Sequence, residues 1–438
     1  MTVKRGTLAA FVAPCLPIAA VGLPIVVYLP PYYAGTLGLD IGIVGLLFFL
    51  VRVIDVPMDP IIGHLVDRSR GRFGRFRSWL AGGALVMMAG LYMVFMATPG
   101  IDATRALAGL VLMYIGYSAA VVSHTAWGAV LSDSYHERSR IFGWWQMTNL
   151  AGLFLILAVP PVAQAILGSK DASVGIHAMG WVIIGLLPLA VLWTVMAVPE
   201  RARIGTAHHR LGDIIGVIKL PLLRRLLLVD LLASLAPGLS GALLLFFLEA
   251  ARGYSPAQAS TLLLFYFAAG LIAAPVWVRI ARRISKHRAV FWSLIAYAAL
   301  QIGTMLIPRD NLPLAAIIIG LVGLPAVASA FLLRAMLADL SEADTVRTGQ
   351  ERTALFYAAL TATQKLGYAL PVGLSYMFLG LIGFVPQLGE ANSTATVDGL
   401  VALFVLPPAA LALAGALVVR GWPIDAASQA RNAEALAR

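Results

Sequence analysis

The stretch RVIDVPMDPIIGHLVDRSRGRFGRFRSW, residues 52–79, decides how the chain is read. It begins inside a long apolar run, yet brings in Arg52, Asp55 and Asp59 before it ends in a loop crowded with arginine. A charged side chain at the centre of a bilayer costs about 2.5–3.5 kcal/mol on insertion scales, so such a group is usually kept for a function. Spacings of three and four residues put all three on one face of a helix. Two carboxylates can then address one point while Arg52 offsets part of their charge.

The surroundings support a membrane setting. The 438 residues are 60% hydrophobic and 12% charged, with a mean hydropathy of +0.87, far outside soluble norms. At about 20 residues per span, this length allows roughly a dozen crossings. Apolar runs bounded by charge or turn residues predict twelve transmembrane helices, the second over 41–66 and the eleventh over 352–383. The longest polar connection, 200–221, separates an N-terminal six-helix half (1–199) from a C-terminal six-helix half (222–438). Of the 32 Lys and Arg residues, 25 fall on the side of the N-terminus and 4 on the other, which places both termini and the central loop in the cytoplasm. The expected fold class is therefore an all-α membrane protein.

The same charges argue against a nucleic-acid partner. The net charge of +11 is spread over short gaps between apolar runs, where membrane orientation accounts for it. The expected partners are the lipid bilayer and a small-molecule solute, with the chain working as a monomer in a bacterial inner membrane. Cys15 is the single cysteine, which excludes an internal disulfide and a cysteine-based metal cluster. The basic start MTVKR leads into an apolar run over 7–33 that is too long for a cleaved leader, and it reads as the first span. Basic loops at 67–77 and 279–288 follow the second span of each half, an internal echo that suits two repeats of like topology.

Asp55 and Asp59 can share a proton, because close carboxylates resist double ionisation, or can hold a hard cation such as Na⁺ through oxygen. Both outcomes make a coupling-ion site. The competing reading is an ion cluster that only locks helices together, but two acids against one arginine leave spare negative charge. Pro57 and Pro60 remove backbone donors and free the carbonyls of Val53 and Val56. Lys365 lies mid-span on a stripe with Tyr357, Thr361 and Tyr368 at helical spacing, a face suited to a polar cavity. An unpaired ammonium there is implausible, and the spare acid charge of the second span is its expected partner. Arg334 is expected near the cytoplasmic end of the tenth span with Asp339 and Glu342, and Asp230 as a local cap or pair. No cofactor is expected, and the sequence holds no H-E-x-x-H, phosphate loop or G-x-S-x-G, so an enzyme is not expected.

At this point the residues amount to a resemblance. The opening stretch, with its D-x-x-x-D-P core and downstream G-R-F-R-x-W, resembles the second span and following loop of the glycoside-pentoside-hexuronide:cation symporters, the melibiose permease group of the major facilitator superfamily. AWGAVLSDSYHERSR (126–140) is similar to that group's fourth-span exit, and ADLSEADTVRTGQERTALFYAALTATQKLGYAL (338–370) to its tenth-to-eleventh connection and eleventh span. The resemblance implies a major facilitator fold with alternating access, Asp55 and Asp59 as the coupling-cation site (its metal site only if the ion is Na⁺), and Lys365 close to them. It also implies a cytoplasmic gate in which Asp67, Arg68, Arg75 and Arg77 face Glu137 and Arg138.

The departures concern solute and ion. Where melibiose-type members carry a sugar-binding aspartate this sequence has Ala19, Ser123 stands beside His124 on the fourth span, and Trp145 falls near the position of an arginine. With the galactoside clamp missing, the cavity candidates of the first half are His124, Trp127, Trp145, Gln146 and Asn149. Those of the second are Tyr357, Thr361, Gln364 and Tyr368. This set favours a less hydroxylated, an amphipathic or an anionic solute. The expected function is cation-coupled symport of a small organic solute, glycoside- or sugar-acid-like or another organic anion, with a lysophospholipid or other amphipathic lipid as the alternative and a non-transporting receptor or assembly factor as the remote one. Met58 stands where sodium-using members have asparagine and Ala120 about where they have threonine, so H⁺ is favoured over Na⁺ as the coupling ion.

Overall fold

The computed structural model describes residues 3–69, 73–131, 135–168, 171–200, 218–349 and 353–424. Every long element among them is a helix. In chain order they are α1 (Arg5–Thr36), α2 (Ile41–Arg68), α3 (Arg75–Phe95), α4 (Ala103–Val130), α5 (Tyr135–Leu167) and α6 (Ala172–Ala197). Then follow α7 (Pro221–Ala251), α8 (Pro256–Ile284), α9 (Lys286–Leu306), α10 (Leu312–Thr348), α11 (Thr353–Leu381) and α12 (Thr394–Val419). Among the described residues, 11 helices are long and apolar enough to cross a membrane; α11 is a further helix of 29 residues. In lipid only segments that satisfy their own backbone can span, which is why so apolar a chain resolves into helices.

The even-numbered helices share a device at their first turns. Asp40, Asp102, Asp171, Asn311 and Ser393 each accept backbone N–H groups at the start of α2, α4, α6, α10 and α12. At α8, Ser255 and Gln258 exchange such bonds reciprocally, a capping box. These ends carry few Lys or Arg, and side-chain oxygens take over the orphan donors there.

The structure divides into two compact units, the first comprising Met1–Thr206, Ser255–Thr261 and Tyr376–Leu388, the second the remainder. In the first, α1 carries Pro14, Pro17, Pro24, Pro30 and Pro31 and is relieved by π-turns at Pro24–Tyr28 and Tyr32–Thr36. Thr194 of α6 donates to the Ala10 carbonyl at 2.6 Å, and Tyr33 donates to that of Val94 at 3.0 Å. The tightest packing joins α3 to α4, where Gly83, Gly90 and Gly116 let backbones meet; a Cβ on Gly83 would lie 2.9 Å from Ala119.

In the second unit α7 and α9 pack on α12 and α10, and Leu226, Leu294, Leu337 and Phe356 belong to its continuous core. Helix α10 runs to Thr348, well past Arg334, which was expected near the cytoplasmic end of the tenth span. The acidic segment after Arg334 is thus helical, and Asp339 on it accepts from the Lys286 ammonium at 2.6 and 2.7 Å. Asp339 and Glu342 follow Arg334 on this helix, and the ion-pair partner of Asp339 is the first residue of α9.

Candidate ion and solute site

Helix α2 sorts its residues by face. Val44, Phe48, Val51, Asp55, Ile62 and Val66 are buried, whereas Ile43, Leu46, Leu50, Val53, Ile61 and Leu65 form an exposed apolar stripe of the kind lipid tolerates. At about 100° per residue, Asp59 and Arg52 lie about 40° and 60° to one side of Asp55. The three are thus gathered on the buried face and its border, with the helix continuing through Pro57 and Pro60.

Asp55 is only 2% exposed. Its Oδ2 lies 3.6 Å from the Arg52 guanidinium, and its Oδ1 accepts from the Ser118 hydroxyl of α4 at 3.1 Å. The Arg52 guanidinium also sits over the Tyr114 ring, 4.7 Å from its centroid, a cation–π contact from the same helix as Ser118. Asp59 is half-buried. Sequence reading looked for a neutral oxygen near position 120, but Ala120 is buried without one and Ser118, half a turn earlier, supplies it. The signal available was a serine in an apolar span, too common to single out.

The other candidates of the first half have mixed surroundings. His124 is buried, with Nε2 2.6 Å from the Phe11 carbonyl, its ring stacked on that of Phe11 and Nδ1 4.0 Å from the Cys15 thiol, the environment of a packing residue. Trp127 is fully buried, and its indole N–H points at the Pro199 carbonyl, 3.4 Å away. On α5, Trp145 is half-buried and its indole N–H has no hydrogen-bond partner among the described residues. Asn149 donates to the Trp145 carbonyl at 2.9 Å, and Gln146 is exposed.

The loop after α2 is anchored by a residue that sequence reading passed over. Glu200, just beyond α6, accepts the backbone N–H groups of Phe76 and Arg77 at 3.0 and 3.2 Å, so a carboxylate caps the positive end of α3. Arg77 donates to the Val198 carbonyl at 2.6 Å, Arg75 lies over the Phe76 ring and Arg68 is exposed. Gly74, with φ 93°, leaves the room that Glu200 takes. Glu137 accepts from the Val3 N–H at 2.9 Å and pairs with Arg140 at 3.0 Å. The side chains of Asp67 and Arg138 fall outside the description.

In the second unit Lys365 is half-buried about 18 Å along α11 from Thr353. Thr361 and Tyr368 on that helix are exposed. Tyr357 donates to the Arg334 carbonyl at 3.3 Å. Gln364 bridges two groups: its amide N–H donates to Asp230 at 3.2 Å and its carbonyl accepts from Arg334 at 3.0 Å. Asp230 therefore bonds across to α11, not locally. Gly367 explains the reach: its bare Cα meets Ser234 of α7, one turn beyond Asp230, and no other residue type would let the helices come so close.

Comparisons with known proteins agree with this architecture. A symporter of Bacillus subtilis (strain 168), YjmB, is 25% identical over 414 residues, which cover 90% of this chain and 87% of that one. A lactose permease of Lactobacillus delbrueckii subsp. bulgaricus is 25% identical over 396 residues, 83% of this chain and 61% of that protein. The crystal structure of the nucleoside transporter NupG superimposes with a TM-score of 0.67 at 11% identity, over 95% of this chain and 100% of that one, a likeness of fold alone. The sequence profile described as MFS/sugar transport protein matches residues 10–426. The chain belongs to that family, a family of membrane transporters and not of enzymes.

Proposed function

We propose that this multi-pass membrane protein is a cation-coupled symporter of the bacterial inner membrane that moves a small organic solute by alternating access. The observation that carries the reading is Asp55, 2% exposed in an apolar span and held by Arg52 and Ser118 with Asp59 one turn on. A bound cation removes the cost of keeping the second carboxylate charged, and so biases the exchange between conformations. Membrane potential adds about 2.3 kcal/mol per charge per 100 mV. Lys365, half-buried within α11, is assigned a charge role in coupling. H⁺ is preferred over Na⁺ because Met58, beside Asp59, brings no oxygen, and a proton needs only one carboxylate.

Relatives named for lactose favour a glycoside or sugar-acid solute over a lipid. Trp145, with its unanswered indole N–H, and Gln146, Asn149, Thr361 and Tyr368 are the residues assigned to bind it. The test is uptake into proteoliposomes of lactose, glucuronate or lysophosphatidylcholine under an imposed pH or Na⁺ gradient. A pH gradient is expected to drive accumulation of one of the first two, and Asp59→Asn to abolish it. Accumulation that ignores both gradients, or survives Asp59→Asn, would refute ion coupling; accumulation of the lysolipid alone would move the solute class.

A further inference from the structure

The coupling site proposed above uses none of the second unit's buried acid. Asp230 lies nine residues into α7 and is 1% exposed. Its Oδ1 accepts from Gln364, while its Oδ2 is buried and has no hydrogen-bond partner among the described residues. Arg334 reaches it only through that amide: the guanidinium donates to the far end of Gln364. A neutral amide thus stands between carboxyl and guanidinium, in the place of a direct ion pair.

An isolated ionised carboxylate out of water costs far more than an unpaired neutral hydroxyl, which costs about 2–7 kcal/mol. The arrangement therefore suits the acid form, with a hydrogen on Oδ2. The other groups that face Asp230 do not change this. Helix α11 adds Tyr368; on α9 the Tyr297 hydroxyl is committed to Ser240 at 2.9 Å. Helix α12 carries its one acid, Asp398, in its first turns. On α7, Arg225 is turned to the Val418 carbonyl.

We propose that Asp230 is a second proton-binding carboxyl, belonging to the C-terminal half, and that Gln364 links it to Arg334. The chemistry is proton exchange with water: the O–H bond on Oδ2 breaks, the proton leaves as hydronium, and the resulting carboxylate needs a cation. Arg334 is exposed and already bound to the bridging amide, so a turn of Gln364 brings guanidinium and carboxylate together. The loading of this site is then sensitive to anything that engages Arg334. The inference does not depend on the role assigned to Asp55 and Asp59.

Infrared spectroscopy of the whole protein reconstituted in lipid tests it, with the carbonyl stretch of a neutral carboxyl as readout and deuterium exchange to identify it. At neutral pH the band is expected in the native protein and in the double variant Asp55→Asn/Asp59→Asn, and its Asp230 component is expected to vanish in Asp230→Asn. Gln364→Leu is expected to keep that component but shift its frequency, because the carbonyl loses the amide N–H; this variant covers a failure of Asp230→Asn to fold. A native spectrum with no neutral carboxyl, or one left unchanged by both substitutions, overturns the proposal. Loss of the whole band in the Asp55/Asp59 variant does so too. Ion-coupled uptake is scored separately, so either conclusion can fall alone.

Discussion

Replacing Gly367 by alanine should separate α7 from α11 and break the Gln364–Asp230 bond. An added Cβ would fall more than about 1 Å inside the roughly 3.5–4.0 Å at which carbon atoms rest. Its target is Ser234 Cβ, with Leu235 N and Ser234 C at 3.4 Å behind it, so no flexible side chain can swing away. The helices must therefore part by about 1 Å. Gln364 is one turn before Gly367 and Asp230 one turn before Ser234, so the 3.2 Å bond between them opens along the same direction and is lost. Overpacking costs about 1–3 kcal/mol, and a buried acceptor without its donor about 1–3 kcal/mol more. The sum, about 2–6 kcal/mol, is an upper figure because both terms relax together.

Thermal unfolding in detergent, followed in a double-mutant cycle with Ser234→Gly, measures this. Ser234→Gly removes the atom that the added methyl group would strike, so the pair exchanges glycine from one helix to the other. The double variant is expected to recover at least about 1 kcal/mol of what Gly367→Ala loses, well outside the roughly 0.3–0.5 kcal/mol scatter of independent sites. If Gly367→Ala unfolds like the native protein, or the two substitutions simply add, the close approach does not set the distance between these helices.

Three further outcomes are expected. Ser118→Ala removes a donor to a charged acceptor, an interaction of about 1.5–3 kcal/mol; it should change the H⁺ or Na⁺ concentration that half-saturates uptake by about tenfold or more, and an unchanged value would take Ser118 out of the ion site. Glu200→Gln should weaken the cap on α3 by about 0.5–1 kcal/mol and speed proteolysis in the loop before Arg75, with α10 and its loops unaffected; equal cleavage rates would count against the capping role. Lys286→Ala leaves Asp339 buried beside no ammonium; with Lys286 a third exposed, the expected loss in thermal unfolding is about 1–3 kcal/mol, and Lys286→Arg should recover most of it. A loss below about 0.5 kcal/mol would show the pair to be a surface bridge of little consequence.

Much was legible from residues close in sequence. The apolar spans and the grouping of Arg52, Asp55 and Asp59 follow from hydropathy and the three-and-four spacing, both properties of one segment and its solvent. The stripe on α11 was visible for the same reason. The length of α10 was not: its last turns are acidic and look like a loop, yet they continue the helix, and the Lys286–Asp339 pair, 53 residues apart in sequence, ties this segment to α9.

Composition and local spacing define the solvent in which this chain folds and the charges it carries into that solvent. The partners of those charges are set by how the helices pack. Ser118 reaches Asp55 across 63 positions and Gln364 reaches Asp230 across 134, and neither serine nor glutamine announces such a partner. The reason is physical: with no hydrophobic force between helices in lipid, contacts are chosen by close fit at small residues such as Gly116 and Gly367, and by polar groups that have nowhere else to bond. Those choices depend on the distance between two backbones, a quantity that no single helix contains.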